Sequence, residues 1–167
     1  MRKMTEQNLR DAFSGESQAH MKYQIYSAVA EKEGYPEVAR LFKAIAYAEL
    51  VHARNHLKEL GGIGDSVANL QDAFNGETFE IEEMYPAYKV VAELQEEKGA
   101  VRSTHYALEA EKIHAVMYDS AKKTVMEKKD ITIGTIQVCD VCGYTHDGDA
   151  PEKCPVCSAP KSKFLSF

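Results

Sequence analysis

Glutamate and histidine recur in this chain in one arrangement, twice. Glu16 is followed by Glu49, which opens Glu49-Leu50-Val51-His52. Glu77 is followed by Glu111, which opens Glu111-Lys112-Ile113-His114. The interval from Glu77 to Glu111 exceeds that from Glu16 to Glu49 by a single position. The two leading glutamates both follow glycines, Gly15 and Gly76, and His52 and His114 stand almost as far apart as those glutamates do. A Glu and a His three residues apart share one face of a helix. The Glu can then bridge two metals while the His caps one of them. A lone Glu and a Glu-x-x-His, each present twice on four helices, are the ligand set of a carboxylate-bridged two-metal site in a four-helix bundle. Hard carboxylate oxygen with some imidazole suits iron or manganese. A single Glu-x-x-His would read as a surface accident; two copies at matched spacing do not.

One residue breaks the repeat. Glu80 follows Glu77 by three, whereas the matching position after Glu16 is Ala19. The second half thus offers a seventh ligand, so one metal has two choices of partner. Tyr23 lies two helical turns beyond Glu16, and Tyr85, eight residues beyond Glu77, points less directly. Either is placed to donate a hydrogen bond to a ligand carboxylate. His20, His56, His105 and His146 take the plainer reading of packed or surface histidines.

The cysteines form a second cluster. Cys139-Asp-Val-Cys142 and Cys154-Pro-Val-Cys157 are C-x-x-C pairs joined by a short segment. Two facing knuckles place four thiolates in a tetrahedron, which suits iron and zinc alike. Zinc would make the segment a structural ribbon, and iron a one-electron carrier. Roughly thirty residues cannot bury enough core to fold without the metal.

Four helices must position the acids. Helical periodicity runs from Glu6 to Lys32, stopped by Gly34, and from Pro36 to about Leu60, stopped by Gly61-Gly62. After a loop over 61–68, it runs from Asn69 to before Gly99, then from Ala100 to Lys128. Pro86 lies inside the third helix and should kink it or remove one backbone bond. The acids sit on the apolar stripes, as in Phe42, Ile45, Glu49, His52 and in Thr104, Ala107, Glu111, His114, so they should face the core. Buried unpaired carboxylates cost several kcal/mol each; two cations would neutralise the cluster. Gly15 and Gly76, in equivalent places, read as room for close helix approach beside the metals. Beyond Lys128 the pattern changes, and Ile131–Val138 alternates like a strand, with a slip at Gly134-Thr135. The expected organisation is an all-α four-helix bundle over 1–132 and a small metal ribbon over 133–167.

Composition narrows the function. The 167 residues are 44% hydrophobic, enough for a packed core, and the net charge of −6 with no basic tract argues against a nucleic-acid surface. No apolar run approaches the ~20 residues that span a bilayer, and the N-terminus has no signal-peptide stretch. A cytoplasmic protein with reduced cysteines is expected.

The motifs Phe13-Ser-Gly-Glu-Ser-Gln-Ala19, Ala48-Glu-Leu-Val-His-Ala53, Gly76-Glu-Thr-Phe-Glu80, Met84-Tyr-Pro86 and Glu111-Lys-Ile-His114, with Cys139 to Phe164, resemble the rubrerythrin family over essentially the whole chain. The resemblance implies a ferritin-like diiron bundle and a rubredoxin-like Fe(Cys)4 domain. The diiron ligands it implies are Glu16, Glu49, His52, Glu77, Glu80, Glu111 and His114. Cys139, Cys142, Cys154 and Cys157 would hold a third iron. Tyr23 and Tyr85 match the family's tyrosines beside the ligands, and His52 and Glu80 the pair between which one iron changes partner. The implied activity is reduction of hydrogen peroxide to water in an anaerobe or microaerophile. Electrons would come through the cysteine site from a rubredoxin or similar donor and its NAD(P)H reductase. The resemblance implies a head-to-tail homodimer as well; separately, the ribbon leaves the far end of a long helix, so its iron should lie far from its own chain's diiron site. Ser158 stands where the second knuckle more often has glycine. A ferritin-like ferroxidase and a non-enzymatic zinc-ribbon module are the competing readings; the electron-carrier domain argues against the first, and a red colour would exclude the second.

Overall fold

The computed structural model describes all 167 residues. They divide into two compact units, Met1–Gly64 and Asp65–Phe167. No helix is long and apolar enough to cross a membrane.

The first unit is an antiparallel helix pair, α1 (Lys3–Lys32) and α2 (Pro36–Glu59). Pro36 opens α2 at a position where its missing N–H costs nothing. Gly34, at φ 86°, turns the chain between the helices. Small residues make the contact: Ala30, Ala39, Ala46 and Ala53 are buried, and the buried Ser27 hydroxyl donates to the Ala39 carbonyl at 2.9 Å. His20 Nδ1 lies 2.7 Å from the Ala46 carbonyl, so this histidine ties the two helices together. Tyr23, Tyr26 and Phe42 pack as an aromatic cluster at the far end.

The second unit repeats the pair with one change. Asp65 caps α3 (Ser66–Phe79), its carboxylate accepting from the Ala68 N–H at 2.9 Å. A π-helical turn over Glu80–Met84 follows, then α4 (Tyr85–Leu94) and α5 (Lys98–Met126). The sequence anticipates an interruption at Pro86; it takes the form of this π turn, in which the Tyr85 N–H reaches the Glu80 carbonyl. A wider turn accommodates a residue that cannot donate a bond and whose ring crowds the preceding turn. Gly76 lies in α3 and Gly15 in α1; a methyl group on either would meet nothing within 4 Å, so neither makes room for the other helix of its own pair.

The two pairs correspond element by element. The stretch from Glu77 to the end of α4 at Leu94 is longer by a single position than that from Glu16 to the end of α1 at Lys32. The loops, and the segments from helix start to Glu49 or Glu111, have equal lengths. The loop bonds also match: Tyr35 N–H to Ala30 O and Glu97 N–H to Ala92 O, both 2.9 Å. The extra residue of the second half therefore lies in the segment that contains the π turn.

The ribbon is a three-stranded antiparallel sheet of β1 (Ile136–Cys139), β2 (Thr145–Asp147) and β3 (Phe164–Ser166), in the order β2-β1-β3. The strand expected over 131–138 is thus confined to its second half. Residues 131–135 make no ladder, and the Gly134 N–H is taken by the Asp147 carboxylate at 2.8 Å. That is where the alternation slips.

Candidate metal centre

Each helix pair brings one triad together. In the first unit the donor atoms of Glu16, Glu49 and His52 lie within 4.8 Å of one another. His52 Nδ1 is 2.9 Å from Glu49 Oε2 and 3.7 Å from Glu16 Oε1. In the second unit the donors of Glu77, Glu111 and His114 are equally close. His114 Nδ1 is 2.6 Å from Glu111 Oε2 and 4.0 Å from Glu77 Oε1. The same geometry arises twice because Glu and His three apart on α2 and α5 face the partner helix of their own pair. In both triads Nδ1 is the ring nitrogen turned to the carboxylates. Ligands of one ion at about 2.1 Å stand roughly 3–4 Å apart, so each triad has the dimensions of a metal shell.

The acids of the second unit disfavour one another's charge. Burial first, then a hydrogen bond and repulsion from Glu111, and repulsion from Glu80, push Glu77 up to about 7. Glu80 sits on the π turn outside the triad. Burial and Glu111 raise its carboxyl too, with His114 opposing. Tyr85 is raised by burial and then by the charges of Glu80, Glu111 and Glu77. Tyr23 packs on Phe42 and Tyr26 and makes no hydrogen bond to a triad carboxylate.

The four cysteines converge in the ribbon. Cys139, Cys142 and Cys154 are buried, and all four sulfurs lie within 4.8 Å of one another. Cys139 Sγ is 3.6 Å from Cys157 Sγ, and Cys142 Sγ is 3.5 Å from Cys154 Sγ. A tetrahedron with metal–sulfur bonds of about 2.3 Å has edges of about 3.8 Å, so the cage fits one ion. Each knuckle closes the same way: the Gly143 N–H donates to Cys139 O and the Ser158 N–H to Cys154 O, both at 2.9 Å. Gly143 has φ 80° and Ser158 has φ 62°. Burial raises the Cys142 thiol. For Cys154 burial is outweighed by the N–H groups of Cys157 and Val156, and its thiol is lowered. Backbone donors aimed at sulfur are what a thiolate cage requires.

The ribbon lies against α5. A methyl group on Gly143 would stand 3.8 Å from the Ala110 side chain, one turn before His114. Thr145 Oγ1 lies 2.8 Å from His114 Nε2. Chain length alone predicts a cysteine site far from the diiron ligands of its own chain; the second triad, at least, is its neighbour. The segment from Glu127 to Thr135 reaches up to about 30 Å when extended, enough to return along α5 to His114. Sequence reasoning also misses Thr145, whose type and spacing carry no signal.

Two acid–imidazole triads on helix pairs and a four-sulfur ribbon define a class: ferritin-like diiron proteins joined to a rubredoxin-like domain. The family model Rubrerythrin matches residues 7–122, and the model for the rubrerythrin rubredoxin-like domain matches residues 137–165. The chain belongs to the rubrerythrin family. Rubrerythrin-2 of Clostridium acetobutylicum is 48% identical, over 98% of this chain and 97% of that protein. Nigerythrin of Nitratidesulfovibrio vulgaris is 36% identical, over 98% of this chain and 86% of that one. The solved structure of partially reduced nigerythrin covers 98% of this chain and 86% of its own, with a TM-score of 0.57 at 32% identity. The donor sets fit the cofactors of that family, two irons in the bundle and one among the cysteines.

Proposed function

We propose that this protein is a non-haem diiron peroxidase that reduces hydrogen peroxide to water, with electrons relayed through the cysteine site, and protects an anaerobe or microaerophile from oxidative stress. The carrying observation is the company the two sites keep: the four-cysteine cage packs on the helix that presents Glu111 and His114. Storing iron needs no electron carrier beside the ligands; turnover of an oxidant does.

In this reading Glu16, Glu49, His52, Glu77, Glu80, Glu111 and His114 hold two irons, and Cys139, Cys142, Cys154 and Cys157 hold one. The bundle irons supply the two electrons that peroxide takes up in becoming two waters with two protons. Glu77, raised to about 7, is a group able to hold a proton near neutral pH, and the Glu80 carboxyl is raised as well. The Tyr85 hydroxyl, raised by the charges of these acids, orients a carboxylate or the peroxide. Tyr23 is the corresponding tyrosine of the first half. As the family resemblance implies, His52, whose side chain is 53% exposed, and Glu80 would be the pair between which one iron changes partner. The organisation is a bundle over 1–132 and a rubredoxin-like domain over 133–167.

A rubredoxin or similar carrier, fed by an NAD(P)H reductase, is the proposed donor, and the cytoplasm the proposed location. The distance argument for a head-to-tail pair falls away, but a homodimer is still favoured. Large apolar side chains such as Ile25, Leu41 and Ile45 are exposed on α1 and α2.

Metal analysis with peroxide-dependent turnover tests the reading. Purified protein should be red, carry about three irons per chain, and consume peroxide when supplied with reduced rubredoxin. A fully iron-loaded protein that leaves peroxide untouched would refute the peroxidase assignment.

A further inference from the structure

His114 is held at both ring nitrogens. Nδ1 faces Glu111 and Glu77, while Nε2 lies 2.8 Å from Thr145 Oγ1. Thr145 is 8% exposed and stands at the start of β2. Its hydroxyl has a single proton, which it donates to the Gly143 carbonyl at 3.0 Å. If His114 Nε2 were bare, two half-buried acceptors would compete for that one proton and one would lose its protein partner. Every atom is satisfied when Nε2 carries hydrogen and Thr145 Oγ1 accepts it.

We infer that Thr145 is a positioning residue for the bundle metal site. It holds His114 protonated at Nε2, leaving Nδ1 to the metal, and fixes the ring's rotation about its bond to the helix. Because Thr145 hangs on the carbonyl of Gly143, the residue after Cys142, the first knuckle of the ribbon orients a ligand of the bundle. The sequence places no such demand on a threonine, and none of the metal motifs includes it.

The inference rests on reading Glu77, Glu111 and His114 as metal ligands, and its test separates the two. The whole chain would be loaded with Zn(II) as a diamagnetic probe, and the His114 ring read by long-range ¹H–¹⁵N correlation in wild type, Thr145→Val and Thr145→Ser. Wild type and Thr145→Ser should show Nε2 protonated, with a slowly exchanging proton. In Thr145→Val that proton should exchange fast, and affinity of the bundle for Zn(II) should fall about 10–100-fold. The Fe(Cys)4 absorption of iron-loaded Thr145→Val should match wild type. Should valine disturb the ribbon, Thr145→Ala replaces it, with serine as the rescue. Wild-type exchange and affinity in the variant that keeps the ribbon intact would overturn the inference, as would failure of serine to restore them. A wild-type bundle that takes up no Zn(II) would defeat the ligand reading itself, before any variant is made.

Discussion

Glu96 occupies in the second helix pair the place that Gly34 occupies in the first: φ is 58° at one and 86° at the other, in loops closed by the same two backbone bonds. Only glycine adopts that region freely; other residues give up about 1–2 kcal/mol. Glu96→Gly should therefore raise the melting temperature by a few degrees. Gly34→Ala should lower it by a similar amount. An unchanged transition in Glu96→Gly would mean that the loop has relaxed out of this conformation.

Ser158 repeats the point in the ribbon. It holds φ 62° at the second knuckle where Gly143 holds 80° at the first. Ser158→Gly should slow the loss of metal from the cysteine cage under a chelator, followed by its absorption. Faster loss would show that the serine makes a compensating contact.

Removing the metals should make stability depend on pH in a definite direction. Glu77 stands at about 7 in the metal-free fold against an ordinary 4.5. A carboxyl raised by folding favours the folded state below its unfolded value, and that advantage is lost as pH rises through the folded one. Metal-free protein should therefore melt higher at low pH than at high pH, with the change between about 4.5 and 7. Loaded protein should behave oppositely, because protons compete with metal for the same oxygens. A pH-independent metal-free transition would show that the Glu77 cluster is solvated.

Glu80 should matter more to turnover than to iron content. It lies outside the triad formed by Glu77, Glu111 and His114, yet close enough for Glu111 to raise its carboxyl. Glu80→Ala is expected to keep two bundle irons and to slow the peroxide cycle. Loss of iron would make Glu80 an indispensable ligand, and unchanged kinetics would remove it from the reaction.

Much of this is legible in the sequence, because ligands come at fixed helical offsets. Glu49 with His52 and Glu111 with His114 can only share a face, and the C-x-x-C pairs can only make knuckles. Helix ends fall where Gly34, Pro36 and Gly61 mark them, and drift by a turn or less where periodicity alone places them. The position of the ribbon is not legible. It depends on a short connection whose path is set by contacts of Gly143 and Thr145 with α5, and a small glycine and a hydroxyl leave no pattern in one chain. The π turn stands between these cases. Pro86 announces an interruption, and the longer interval from Glu77 to Glu111 announces an insertion, but neither says that both are one event.

That single extra residue limits how alike the two irons can be. A duplicated helix pair would surround both with the same ligands in mirrored positions. Here one arm is a continuous α-helix carrying Ala19, and the other is widened by a turn carrying Glu80. Two bundle irons held by these arms would differ in ligand set even before substrate arrives. Mössbauer spectra of the diferric protein should resolve two quadrupole doublets of equal area.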